Sequence, residues 1–206
     1  MFNKFVFTKP FAQKRHIALP SDCERHNING RTDGFLQQYG DRSKDISEIP
    51  VILYFHGTSC LAEDKIKTHD RIIRDLGLEN SNFAIMAVEY SFYLENAKHI
   101  GGERALERDA EHAYNYVTKS LGIPEKNLKI YGESLGSYPA LHLAKQGKKA
   151  SEFILNCPFS SSYNKIANSK LANNEVKNFF LQTLFHLIFF LFYPFIDKLN
   201  NQENIR

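Results

Sequence analysis

A chain of 206 residues with 43% hydrophobic residues is long enough to bury one sizeable core and needs no second domain. Its net charge of +3 comes from 26 Lys and Arg scattered among 23 Asp and Glu, so no basic stripe forms and nucleic acid is not an expected partner. Three widely separated cysteines, Cys23, Cys60 and Cys157, fit a reducing compartment better than a disulfide framework, and Met1 to Pro10 lacks the apolar core of a signal peptide, which together favour a cytosolic address.

Ser21 to Glu48 is polar, with turn signals at Asn29-Gly30 and Asp33-Gly34 around a short strand from Phe35 to Tyr39, read as an antiparallel edge. Val51 to Phe55 is a continuous apolar run ending at His56-Gly57, the pattern of a strand covered on both faces. A helical stripe runs from Ala62 to Leu76 and stops at Gly77, and Phe83 to Val88 is the next buried strand. Ala110, Ala113, Tyr114, Val117 and Leu121 mark an amphipathic helix over Glu103 to Leu121, closed by Gly122 and Pro124. Leu128 to Tyr131 is a third buried strand, Ser134 to Lys145 a helix ending at Gly147, and Phe153 to Asn156 a fourth strand. This alternation predicts an α/β fold with a mostly parallel sheet and helices on both faces, whose sites gather at the carboxyl ends of the strands, where His56, Glu89 and Ser134 fall.

Asn178 to Ile196 has no formally charged residue and approaches the roughly 20 residues of a membrane span. Gln182, Thr183, His186 and Pro194 interrupt it, so it reads as a buried helix or lid, or as an apolar face for acyl chains or a membrane surface.

Between the third strand and its helix lies Gly132-Glu133-Ser134-Leu135-Gly136, a G-x-S-x-G pentapeptide in the strand-turn-helix setting that gives the pattern its meaning. A sharp turn that exposes a serine needs small flanking residues, which Gly132 and Gly136 supply, and it sets Ser134 at a helix N-terminus that favours developing negative charge. Ser134 is the candidate nucleophile and the Leu135 N–H the first candidate oxyanion donor; His56-Gly57-Thr58 offers the second, with Thr58 as the donor.

Tyr54-Phe55-His56-Gly57, Val88-Glu89-Tyr90-Ser91, the pentapeptide and Asn156-Cys157-Pro158-Phe159-Ser160-Ser161 resemble, in order and spacing, the α/β-hydrolase superfamily. From about Pro50 to Arg206 the chain is most similar to its single-domain branch of protein depalmitoylases and serine-aminopeptidase-like hydrolases. The resemblance implies a serine hydrolase that cleaves an acyl ester, thioester or amide through an acyl-enzyme, with a small-molecule or lipid-like acyl substrate and no cofactor. Two departures stand out: Thr58-Ser59-Cys60 where the family often has Asn after His-Gly, and the bulky Ser91-Phe92-Tyr93-Leu94 in place of a glycine-rich loop.

In the superfamily the acid and the histidine follow the nucleophile, but downstream of Ser134 stand only His142, His186 and a single aspartate, Asp197. His142 lies two turns along its helix, carried off by about 1.5 Å per residue, and His186 lies in the apolar stretch. His56 is expected to order its loop; His16, His26, His69, His99 and His112 have no matching acid. His16, Cys23 and His26 fit no four-ligand metal spacing, so no metal is expected. Phe195 to Leu199 resembles the stretch before the family's next core strand, so the chain reads as a C-terminally incomplete domain lacking the last strands. The alternative is a non-catalytic binding protein of the same fold.

Overall fold

The computed structural model describes residues 19–30, 32–58, 61–66, 69–94 and 101–158. Within them, six strands form one sheet: β1 (Cys23–Ile28), β2 (Thr32–Tyr39), β3 (Val51–Phe55), β4 (Phe83–Glu89), β5 (Leu128–Glu133) and β6 (Glu152–Asn156), in the order β1-β2-β4-β3-β5-β6. β4, β3, β5 and β6 run parallel, while β1 and β2 add antiparallel to the β4 side. The helices are α1 (Ala62–Ile66), α2 (His69–Asp75), α3 (Glu103–Asn115) and α4 (Ser137–Lys145).

Every residue of β3 and β4 is buried, because helices cover both faces. Alternate side chains sort accordingly. Val51, Leu53, Phe55, Met86, Val88 and Ile130 meet α3 and α4 through Leu106, Ala110, Ala113 and Leu143. Ile52, Tyr54, Ile85, Ala87 and Tyr131 meet α1 and α2 through Ala62, Ile66 and Ile72. The predicted mostly parallel, doubly covered sheet is therefore present, and the carboxyl ends of β3, β4 and β5 converge on one edge of it.

Several boundaries differ from the sequence reading. Asn29-Gly30 is a turn, with φ of 55° and 73° joining β1 to β2, but Asp33-Gly34 lies inside β2, opposite Glu89 and Val88. Gly34 is small because a Cβ there would fall 2.6 Å from Met86 Sδ. The outer antiparallel edge is β1, which sequence reasoning did not find. The helix expected from Ala62 to Leu76 is two helices, α1 and α2; α2 ends as predicted, with Leu78 N–H bonding Ile73 O at 2.9 Å and Gly77 N–H bonding Arg74 O at 3.1 Å. The helix expected to reach Leu121 is α-helical to Asn115 and continues as a wider π turn over Tyr116–Ser120. The helix after β5 begins with a tight 3-10 turn, Ser134–Gly136. The apolar stretch 178–196 lies outside the described residues, and no described helix is long and apolar enough to cross a membrane.

His69, at the start of α2, is buried against Tyr54 and Tyr39, and its Nδ1 lies 2.9 Å from Tyr39 Oη. Tyr39 O–H donates to Gln37 at 2.6 Å, so the His69 Nδ1–H donates to Tyr39 and the ring is neutral. Burial, then the nearby Lys65 charge, lowers its pKa from 6.5 to about 4.

Two outcomes are expected. Leu106→Ala, in the middle of the α3 face, should lower unfolding free energy by about 2–5 kcal/mol in urea titrations. Because His69 is held neutral when folded and protonates in the unfolded chain, its contribution is complete above pH 6.5 and is lost as pH falls toward 4, by about 3 kcal/mol. The His69→Leu variant should show a correspondingly shallower fall in stability between pH 6.5 and 4.

Candidate active site

The turn after β5 is set by two close approaches. A Cβ on Gly132 would lie 2.5 Å from Gly136 O, and one on Gly136 would lie 1.9 Å from Phe55 O. Only glycine fits at either position, which is the small-residue demand read from the pentapeptide. Ser134 between them has φ of 51°, a left-handed conformation that costs about 1–3 kcal/mol and persists only where the surroundings impose it. Here the closure of β5 onto α4 imposes it. Ser134 is part-exposed, while Leu135, Gly136 and Ser137 behind it are buried. Leu135 is the second residue of the 3-10 turn, so its N–H belongs to the first-turn donors that no helical carbonyl accepts.

β3 delivers His56, Gly57 and Thr58 beside this turn, and a Cβ built on Gly57 would sit 3.4 Å from Ser134 Cβ. His56 is fully buried. Its Nδ1 lies 2.8 Å from Gly57 O and its Nε2 lies 3.2 Å from Glu89 Oε1. Gly57 O can only accept, so Nδ1 carries the proton of that bond, while Nε2 faces the Glu89 carboxyl. The bond to Gly57 O has a second consequence: in a planar trans peptide the N–H points opposite to the C=O, so His56 orients the Thr58 N–H away from itself. Tyr90 O–H donates to His56 O at 2.6 Å and Tyr93 O–H to Thr58 O at 3.4 Å, with the Tyr90 and Tyr93 rings 4.6 and 5.9 Å from the imidazole. Glu89 also accepts from Tyr90 N–H at 3.0 Å and from Ala62 N–H, the first residue of α1, at 2.9 Å.

Glu133, inside the pentapeptide, accepts from Lys65 Nζ at 2.8 Å and from Tyr54 O–H. Burial pushes its pKa up, but the hydrogen bonds from Lys65 and Tyr54 and the charges of Lys65 and Arg71 outweigh that and hold it below the ordinary value. Beside it opens a cavity of about 320 Å³ lined by Tyr54, Lys65, Arg71, Tyr131, Glu133 and Asn156.

All seven motif residues, His56, Gly57, Thr58, Gly132, Ser134, Leu135 and Gly136, come together at the ends of β3 and β5. The other histidines among the described residues go elsewhere. His142 is a packing residue of α4, its Nε2 3.0 Å from Glu111 Oε1; His26 on β1 bonds Tyr116 Oη at 2.9 Å; His69 bonds Tyr39; His112 lies on α3. His16, His99, His186 and Asp197 lie outside the described residues. No group of three or more described His, Cys, Asp or Glu side chains is arranged to hold a metal ion. Sequence reasoning missed Lys65, Tyr93 and the role of Glu133. Glu133 is marked by its place in the motif, whereas nothing in a linear pattern brings Lys65 to it.

No protein-family model matches the chain. Over 153 residues it is 28% identical to multifunctional-autoprocessing repeats-in-toxin proteins of Vibrio cholerae and Vibrio vulnificus, a match covering 70% of this chain and 3% of each toxin. It is 33% identical over 120 residues to an uncharacterized protein of Acanthamoeba polyphaga mimivirus, covering 53% of this chain and 38% of that protein. Among solved structures, an alpha-beta hydrolase from Vibrio vulnificus superposes with a TM-score of 0.60 at 18% identity, over 89% of this chain and 59% of that one. An esterase from the bacterial hormone-sensitive lipase family gives 0.53 at 16% identity, over 84% and 52%. The chain has the α/β-hydrolase fold, and it spans about three fifths of the length of the Vibrio vulnificus hydrolase.

Gly136→Ala should destabilise the fold by about 3 kcal/mol or more in urea titrations, since its methyl group meets backbone carbonyl rather than a movable side chain. An unchanged midpoint would refute the close approach.

Proposed function

We propose that the protein is a serine hydrolase that cleaves an acyl ester or thioester. Ser134 Oγ attacks the acyl carbonyl while a general base takes its proton. The oxyanion is met by the N–H groups of Leu135 and Thr58, and the alcohol or thiol leaves with a proton. Water then cleaves the acyl-enzyme and regenerates the serine. The observation that carries this reading is the left-handed Ser134 on its glycine-flanked turn, with Gly57 packed against it. The names of the structural neighbours, an alpha-beta hydrolase and an esterase, favour ester chemistry, and the apolar stretch 178–196 favours a lipid-like acyl group. Protein depalmitoylation falls within that class.

A second reading, a binding protein of the same fold, draws on one observation: among the described residues, every histidine is placed in another role or on another element. A fluorophosphonate probe separates the two. Labelling of the protein that disappears in Ser134→Ala, with hydrolysis of p-nitrophenyl esters falling by about four to six orders of magnitude, is the expected result. Equal labelling of both proteins would sink the nucleophile assignment, and no labelling of either would favour the binding protein.

A further inference from the structure

α1 has five residues, too few to hold itself together in isolation. It is tied at both ends by carboxylates from neighbouring strand ends. Glu89 accepts from its first N–H, at Ala62, and Glu133 takes the Lys65 ammonium from its last turn. Glu89 also holds His56, and Glu133 is bonded directly to Ser134, so the loop after β3 and the turn after β5 are joined twice, once through the β3 backbone and once across α1. Lys65 and Glu133 are only 20% and 19% exposed, which shields their attraction from solvent more than at a surface pair.

We propose that Glu133 is a positioning residue: through Lys65 it holds α1 and the loop after β3 against the Ser134 turn, setting the separation of Ser134 from the Thr58 N–H. The inference rests on the reading of Ser134 as nucleophile and Thr58 as oxyanion donor. It gives the variable position of the pentapeptide a geometric task, since a misplacement of about 1 Å at a reacting centre can cost on the order of 100-fold in rate.

The test compares Lys65→Met, Lys65→Arg, Glu133→Gln and the Lys65→Met/Glu133→Gln double variant by p-nitrophenyl butyrate kinetics and amide hydrogen exchange. Expected are a fall in kcat of about tenfold in Lys65→Met and in Glu133→Gln with KM within about twofold, a double variant no worse than these two, and kcat near that of the unmodified protein in Lys65→Arg. Exchange should accelerate at residues 56–58 in both Lys65→Met and Glu133→Gln, although neither site adjoins them in sequence. A lower melting temperature with kcat unchanged, or unaltered exchange at 56–58, overturns the proposal. If the unmodified protein cleaves no ester, the proposed function fails, while exchange at 56–58 still decides the clamp.

Discussion

The turn after β5 lies so close to the end of β3 that the Gly136 Cα rests on the Phe55 carbonyl. Much of the local geometry follows from that contact. Ser134, two residues before Gly136, has a left-handed φ of 51° and stays part-exposed. The contact also aligns the next residues of β3 with the same turn, so that Gly57 meets Ser134. A strained backbone survives here because the fully buried β3, the largely buried β5 and the helix α4 converge on it, and their packing contributes far more than the strain costs.

A second constraint is electrostatic. His56 and Glu89 are buried together, and removing water from both is costly unless every polar atom finds a partner. The partners are present: Gly57 O and Glu89 for the imidazole, and the N–H groups of Tyr90 and Ala62 for the carboxylate. The tyrosine rings packed around the pair exclude water and add hydrogen bonds to the loop backbone. Deleting one partner of such a pair typically costs about 3–5 kcal/mol, because the other charge is left buried. This cluster ties the loop after β3 to the end of β4 and to α1. Asp109 does similar work one layer away, accepting from Thr32 Oγ1 at 3.2 Å and Ser91 N–H at 2.8 Å to tie β2 and the segment after β4 to α3.

The parts of the fold legible in the sequence are those where one physical rule acts alone. β3 and β4 are continuous apolar runs because both their faces are covered, and no competing pattern obscures them. α3 was legible from its stripe, although its last turn widens to a π turn. Where two rules compete, the reading failed. Asp33-Gly34 has turn composition, but Met86 on the neighbouring strand needs the space that Gly34 leaves. β1 is polar, only partly buried and at the edge, with Ile28 as its one core residue, so it carries no apolar alternation to detect.

From the sequence alone came the pentapeptide and the need for glycine on either side of Ser134, because these depend on local sterics and on residues a few positions apart; the pairing of that turn with His56-Gly57-Thr58 was legible from strand ends and from the resemblance. Tertiary structure alone decided what holds them: that Glu89 takes His56 and α1 together, that Lys65 reaches Glu133 across 68 positions, and that His142 turns to Glu111. Such contacts join side chains whose distance is set by how sheet and helices pack. No period or motif encodes that distance.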